Sequence, residues 1–226
     1  AILNVGHGDN WHMTWAADDR QFLALCDGKG FEDVPGEIFE FRNSRVYTIE
    51  GQPPEHRFGY LPNYPDLFGL TFRFYGFGIL AIDGRVYQYC STPRRRFSDE
   101  PTEFVGAKLT YSPDNGASWC NQDGTPLHWE EWEDRNQENM VFFEEPGGAF
   151  SLLTVLQMGR NYEHNRDGFV YVYAPNGNVD GTMNQLVMFR VPKDKILDRS
   201  AYEYFVSRNP DGTANWSSDI TQRSPV

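Results

Sequence analysis

Three aspartates near the start of the sequence have a spacing that could support acid–base chemistry. Asp9 precedes Asp18 by nine positions, and Asp27 follows Asp18 by nine positions. If the chain turns back near Asp18, the outer two carboxylates stand opposite each other, where cross-strand Cβ atoms are about 4.5–5.5 Å apart. Such a pair can hydrolyse a glycosidic bond, because one group protonates the leaving oxygen while the other attacks carbon or activates water. We therefore predict Asp9 and Asp27 as the catalytic pair.

Two strands must bring these carboxylates together. Residues 11–16 and 21–26 flank the polar segment 17–20, a pattern that favours a hairpin. Four glycines lie beside the two carboxylates in sequence: Gly6, Gly8, Gly28 and Gly30. We expect these glycines to leave room for a ligand close to the backbone. The alternative is that Asp9 and Asp27 only satisfy loop amides, as aspartates in turns often do.

Five further side chains are predicted to contact the substrate: Trp11, His12, Tyr162, His164 and Asp167. The last three belong to the segment 161–167, which lies between two apolar stretches and carries groups able to contact sugar hydroxyls. The alternative is that this segment is a solvated hairpin loop. No metal site or cofactor is predicted, because His7, His12 and Asp9 lack the spacing of known metal ligands.

The octet 112–119 reads Ser-Pro-Asp-Asn-Gly-Ala-Ser-Trp, which has the form of an Asp box. This pattern resembles the turn repeated in sialidase-type β-propellers. We expect Asp114 to accept a hydrogen bond from an amide two residues on, and Gly116 to adopt positive φ. Trp119 is expected to pack between neighbouring sheets. A degenerate copy of the pattern occupies residues 209–216.

The composition predicts one all-β domain spanning residues 1–226. Aromatic residues make up 15% of the chain, which also has 21 Gly and 14 Pro, a combination that favours short strands and many turns. A hairpin is predicted at residues 78–90 around Asp83-Gly84, and a short helix at 192–200. At about 45 residues per blade, the length suits a propeller of four to five blades, with a sandwich or jelly roll as the alternative.

The charge of the chain limits its partners. The net charge is −12 at pH 7, so nucleic acid phosphates would be repelled. No apolar run approaches the roughly 18 residues of a membrane-spanning helix, and none is predicted. We expect a secreted or cell-surface protein that acts on a polysaccharide. The oligomeric state is left open.

Several motifs, in this order along the chain, resemble a bacterial propeller family that includes endo-D-arabinanases. They are Asp9-Asn10-Trp11, Asp27-Gly28-Lys29-Gly30-Phe31, Tyr75-Gly76-Phe77-Gly78, Asp83-Gly84-Arg85-Val86-Tyr87, the run at 166–173 and the run at 190–197. The resemblance implies a five-bladed β-propeller glycosidase whose paired active-site aspartates are Asp9 and Asp27. It also implies that the family continues beyond a segment like 221–226, so that blade closure is missing from this chain.

The sequence thus favours a glycoside hydrolase that cleaves a polysaccharide, with an arabinofuranan as the substrate implied by the resemblance. Two alternatives remain open. One is a polysaccharide lyase that uses histidine and tyrosine. The other is a carbohydrate-binding propeller without catalytic activity.

Overall fold

The computed structural model describes residues 6–32, 34–36, 39–66, 73–94, 101–179 and 182–226. Over these residues the chain forms three antiparallel sheets and several short 3-10 turns. The predicted all-β class is therefore confirmed. The helix predicted at 192–200 is wrong as a continuous element, because two separate 3-10 turns, Lys193–Lys195 and Arg199–Ala201, occupy this stretch.

Each sheet is built mainly from strands that follow one another in sequence. Sheet 1 contains β1 (Gly6–Trp15), β2 (Gln21–Phe31), β3 (Arg42–Glu50) and β4 (Arg57–Tyr60). Sheet 2 contains β5 (Tyr75–Ile82), β6 (Arg85–Pro93), β7 (Phe104–Ser112), β8 (Cys120–Asn121) and β9 (Phe142–Phe143), the last of which pairs with β7. Sheet 3 contains β10 (Thr154–Val155), β11 (Phe169–Pro175), β12 (Leu186–Pro192), β13 (Glu203–Arg208) and β14 (Ala214–Ser217).

The two predicted hairpins are present. β1 and β2 pair with the turn at 16–20 between them; β1 begins earlier and β2 ends later than predicted. β5 and β6 pair around Asp83 and Gly84, whose φ angles of 51° and 75° are both positive. Positive φ at both central residues is what a type I′ turn requires, and Asp-Gly tolerates it well.

β5 contacts the neighbouring sheets on both sides. The Ala81 amide donates to Thr14 Oγ1 of β1 at 2.8 Å, and the Gly78 amide donates to the Leu153 carbonyl beside β10 at 2.8 Å. Gly76 is required for this approach, because a Cβ there would lie 2.6 Å from the Leu25 carbonyl oxygen. Sheet 2 is therefore packed between sheets 1 and 3.

Aromatic side chains fill the space between sheets 2 and 3. Phe189 stacks on Tyr202 with ring centroids 4.6 Å apart, and Phe142 stacks on Phe150 at 5.0 Å. All four rings are buried, and each contributes about 1.5–3 kcal/mol by leaving water. A second, smaller cluster joins sheets 1 and 2 around Phe22 and Trp119.

The octet at 112–119 forms a hydrogen-bonded turn after β7. Asp114 accepts from the Ser118 amide and hydroxyl, both at 2.7 Å, and the Gly116 amide donates to Ser112 Oγ at 2.7 Å. Asp114 therefore accepts from an amide four residues further on, not two as predicted. The amide two residues on, that of Gly116, donates to the Ser112 hydroxyl instead. Gly116 has φ +94° and Trp119 is only 6% exposed, as expected from these residue types.

Sequential antiparallel sheets packed side by side are compatible with a propeller. The described residues form three sheets, whereas the chain length predicted four to five blades. Each sheet, with its loops, occupies about 55 to 70 residues, because long segments such as 122–141 contain little strand structure. Among the described residues, no helix is long and apolar enough to cross a membrane.

Candidate active site

The hairpin of β1 and β2 carries both predicted catalytic carboxylates, but with a shifted register. Asp9 pairs with Cys26, one position before Asp27. In a regular ladder, a shift of one residue would send the two side chains to opposite faces. The pairing is irregular on both sides of Asp9, and Asn10 and Asp27 have positive φ angles of 44° and 46°. An irregularity of this kind is a β-bulge, and it changes the direction in which a side chain points compared with a regular ladder.

The two carboxylates have different surroundings. Asp9 is exposed, and Asn10 Nδ2 donates to its Oδ1 at 3.3 Å. Asp27 is partly buried, and Asn43 Nδ2 from β3 donates to its Oδ1 at 2.9 Å. The pKa of Asp27 is raised to about 6, mainly by burial and also by the charge of Asp9, against the lowering effects of the Asn43 hydrogen bond and the Arg73 charge. The Asp9 carboxylate is thus close enough to act on Asp27 electrostatically.

The hairpin glycines serve the backbone and not a ligand. A Cβ at Gly28 would lie 2.2 Å from the His7 carbonyl oxygen, and one at Gly8 would lie 2.1 Å from Leu25 Cδ1. A Cβ at Gly6 would lie 2.8 Å from the Phe31 ring. For Gly6, Gly8 and Gly28, the expectation that they leave room for a ligand is therefore wrong, because the strands and their side chains occupy that space.

Tyr75 at the start of β5 and Arg73 just before it are two groups that the sequence analysis did not predict. Arg73 Nε donates to Tyr75 Oη at 2.5 Å, and both side chains are buried. Burial and, to a smaller extent, the Asp27 charge raise the pKa of Tyr75 to about 12, so the phenol is neutral at physiological pH. Because the phenol oxygen accepts from Arg73, its own hydrogen is left to donate to another group. Arg73 lies two residues before Tyr75, the first residue of β5, and this spacing was the available signal in the sequence.

Asn43 had no comparable signal in the sequence. It lies at the start of β3, sixteen residues after Asp27, and is buried. Its contact with Asp27 depends on the pairing of β2 with β3, in which Cys26 lies opposite Ser44. A single polar residue at the start of a strand does not reveal such a partner.

Trp11 and His12 lie on β1 close to Asp9. The Trp11 ring packs against Phe31 with centroids 5.3 Å apart, and the His12 ring packs against Phe77 of β5 at 5.5 Å. Burial lowers the pKa of His12, so the imidazole is neutral at physiological pH. Both side chains are half-buried, but they lie on opposite faces of sheet 1, because Trp11 packs in the cluster of Leu25 and Phe31 whereas His12 faces β5.

Tyr162, His164 and Asp167 lie at the other end of the sheets. The neighbouring Arg160 and Asn161 hydrogen bond to the β1–β2 turn at Asp19 and to the β5–β6 turn at Asp83. Asp9 lies six residues before the end of β1, a distance of roughly 20 Å along a strand. The structure therefore separates these three predicted substrate contacts from the aspartate pair.

Two of these side chains have structural partners at that end. Tyr162 is buried, and its Oη accepts from the Tyr171 amide at 3.3 Å. Asp167 accepts from the Tyr171 hydroxyl at 2.5 Å and from the Phe169 amide at 3.2 Å. These contacts organise the turn that leads into β11, whereas His164 is exposed.

A free thiol also lies next to the aspartate pair. Cys26 is buried, and burial together with the neighbouring Asp27 and Asp9 charges raises its pKa, so the thiol stays protonated. It is therefore unsuited to act as a nucleophile. Within the described residues, no group of three or more His, Cys, Asp or Glu side chains is arranged to hold a metal ion.

Comparison with known proteins identifies a shared fold. No family model matches the sequence, and no curated protein matches it. Among solved structures, the chain is similar to a protein from Bacteroides ovatus ATCC 8483 described as a candidate hydrolase, with 11% identity and a TM-score of 0.50. The similarity covers 96% of this chain and 56% of the Bacteroides protein, so the chain spans little more than half of that protein's length. At this identity the likeness shows the fold alone.

Proposed function

We propose that this protein is a secreted or cell-surface β-propeller glycoside hydrolase that cleaves a polysaccharide. Asp27 acts as the general acid, and Asp9 acts as the base or nucleophile. The observation that carries this assignment is the difference between the two carboxylates: one is exposed, and the other is partly buried with a pKa raised to about 6. A carboxyl group whose pKa is raised, next to a second carboxylate, is a usual arrangement for the general acid of a glycosidase.

The surrounding residues support a site for a neutral sugar. Asn43 fixes one oxygen of Asp27, which leaves the other oxygen for the proton that the leaving group receives. The neutral phenol of Tyr75 can donate to a sugar oxygen, and His12 lies on the face of sheet 1 that meets β5. Tyr162, His164 and Asp167 are left out of the cleavage site because of their distance from it.

The motifs shared with the endo-D-arabinanase family make D-arabinofuranan the first substrate to test. The Bacteroides structure described as a candidate hydrolase is in keeping with a hydrolytic activity, although its likeness extends to the fold alone. The lyase alternative requires a tyrosine that ionises readily. The raised pKa of Tyr75 opposes that role.

The test uses the wild-type protein with Asp9→Asn and Asp27→Asn, incubated with a panel of neutral and uronate polysaccharides. Each substitution keeps the side-chain shape and removes the ability to ionise. We expect release of reducing ends from arabinan by the wild type, and a loss of at least about 100-fold in each variant with binding retained. Asp194→Asn is the matched control, because Asp194 is exposed and distant in sequence.

Three results would contradict the proposal. Full activity in either variant would remove that aspartate from the mechanism. Products that absorb in the near ultraviolet would indicate an unsaturated uronate and therefore a lyase. Binding of a glycan without any turnover by the wild type would indicate a carbohydrate-binding protein.

A further inference from the structure

Phe77 on β5 is an aromatic side chain that the proposed cleavage chemistry does not use. The other seven residues of β5 are buried, whereas Phe77 is half-buried. The pairing of β5 with β6 is irregular between Gly76 and Ile79, so Phe77 lies in a β-bulge. A bulge changes the direction of a side chain, and here it leaves the ring partly accessible to a ligand.

The position of Gly76 brings Phe77 close to the aspartate pair. A Cβ at Gly76 would lie 2.6 Å from the Leu25 carbonyl oxygen, so β5 approaches β2 directly at this point. Leu25 precedes Cys26, the residue that pairs with Asp9. Phe77 therefore follows a contact between sheets 1 and 2 that lies one position from the Asp9 pairing.

The imidazole of His12 on β1 packs beside Phe77. The two ring centroids are 5.5 Å apart, and the ring planes are inclined by 52°. Within the described part of the chain, neither ring nitrogen of His12 makes a hydrogen bond, and both keep access to solvent. Burial lowers the pKa of His12, so the ring is neutral at physiological pH, with one nitrogen as donor and the other as acceptor. Sugar hydroxyl groups match this pair, because each can donate and accept.

The Phe77 and His12 rings lie about one sugar unit from the aspartates. His12 pairs with Ala24, and Asp9 pairs with Cys26, so two residues of β2 separate the two positions. Two residues of a strand span roughly 7 Å, which is comparable to the length of one sugar unit in an extended glycan. A glycan whose scissile bond lies at the aspartates can therefore place the neighbouring sugar unit beside Phe77 and His12.

We propose that Phe77 and His12 form the sugar-binding subsite next to the point of cleavage. The Phe77 ring stacks on the C–H face of the sugar unit, and His12 exchanges hydrogen bonds with its hydroxyl groups. Stacking is favourable because the face of an aromatic ring carries partial negative charge and attracts C–H groups, while water leaves both surfaces. The inference rests on the proposed function, because the aspartate pair defines the point of cleavage. It assigns a neutral sugar unit to the subsite, since the carboxylates of Asp9 and Asp27 would repel a uronate.

Calorimetric titration of the Asp27→Asn variant with a D-arabinofuranan oligosaccharide tests the proposal, because this variant should bind without turnover. Phe77→Leu in that background removes the ring face and keeps an apolar side chain, so binding should weaken by about tenfold. Phe77→Tyr keeps the ring and should bind within about twofold of the background.

Two further variants complete the test. His12→Phe keeps a ring beside Phe77 but removes both nitrogens, and it should weaken binding by about tenfold even if Phe77→Leu fails to fold. Phe205→Leu is the matched control, because Phe205 is another half-buried ring, on β13 of sheet 3. This control should bind the oligosaccharide as the background does.

Unchanged binding in both Phe77→Leu and His12→Phe would overturn the subsite, as would the absence of oligosaccharide binding to Asp27→Asn. An equal loss in Phe205→Leu would also overturn it. The result is separate from that of the proposed function. Cleavage by the wild type without any effect of Phe77 on binding would leave the hydrolase in place and remove the subsite. Binding that depends on Phe77 in a wild type without turnover would uphold the subsite and contradict the hydrolase.

Discussion

At the scale of single residues, the central feature is the unequal environment of two aspartates. Burial raises the pKa of Asp27 to about 6, and Asp9 remains exposed on the opposite strand. Asn43 and Arg73 limit this rise, because a donated hydrogen bond and a nearby positive charge both favour the ionised carboxylate. With a pKa of about 6, Asp27 can both hold and release a proton in mildly acidic solution.

This balance predicts the pH dependence of cleavage. If Asp27 is the general acid, it must be protonated in the free enzyme, so kcat/KM should fall as pH rises through about 6. Asn43→Ala removes a hydrogen bond that lowers the pKa of Asp27, and it should move this alkaline limb to higher pH. A full pH profile of arabinan cleavage by both proteins measures the shift. An alkaline limb that does not move would exclude Asn43 as the residue that positions Asp27.

The same pKa shift predicts an effect on stability that does not depend on activity. The folded-state pKa of Asp27 lies above the unfolded value of about 3.9, so the folded state binds the proton more tightly. Stability contributed by this group is present at low pH and is lost as pH rises through about 6. Asp27→Asn should therefore raise the free energy of unfolding at pH 7 by about 1 kcal/mol, after allowance for solvent around a partly exposed carboxyl.

At the scale of the structural elements, two devices place the site. The irregular pairing of β1 and β2 re-aims the side chains near Asp9, and the glycines of the hairpin allow the strands to approach each other. The turn after β7 inserts Trp119 between sheets 1 and 2, where it packs edge-to-face on Tyr64 at 4.9 Å. That contact helps to hold sheet 2, which carries Arg73 and Tyr75, against the hairpin.

Trp119 and Trp15 form a matched pair for testing this packing. Trp119 is 6% exposed and Trp15 is 40% exposed. Trp119→Ala should lower the free energy of unfolding by about 3–5 kcal/mol, because it removes a buried ring and leaves a cavity. Trp15→Ala should change it by less than about 1 kcal/mol. Urea unfolding of both variants measures the difference, and equal losses would contradict the role given to Trp119.

At the scale of the whole molecule, three antiparallel sheets pack side by side and the chain is strongly acidic. The formal net charge of −12 at pH 7 sets up a negative field around the protein. This field repels anionic polymers. It exerts no net force on a neutral glycan, because the glycan carries no charge. The acidity therefore suits a neutral polysaccharide better than a uronate polymer.

Salt should therefore separate the two kinds of substrate. Raising sodium chloride from about 20 mM to about 300 mM shortens the Debye length several-fold. We expect the KM for neutral arabinan to change by less than twofold, whereas any binding of an anionic polymer should strengthen as repulsion is screened. Initial rates at both salt concentrations measure this. A marked rise of the arabinan KM with salt would contradict the proposal that the site recognises arabinan without ionic contacts.

The sequence by itself determined the strands and turns. The hairpin that carries Asp9 and Asp27, the turn at Asp83 and Gly84, and the burial of Trp119 follow from local preferences, and the structure has all three. Polar turn segments between strand-forming stretches, positive φ at Asp-Gly and burial of aromatics act over a few residues, so a single sequence reveals them.

Only the tertiary structure decided which side chains share a site. Asn43, Arg73 and Tyr75 come from 16 to 48 residues beyond Asp27, and the pairing of β2 with β3 and the packing of β5 bring them to it. Tyr162, His164 and Asp167 were predicted at the same site, yet their loop contacts the turns at the opposite end of the sheets. The physical reason is that register and sheet packing depend on the sum of many distant contacts, which no short motif encodes.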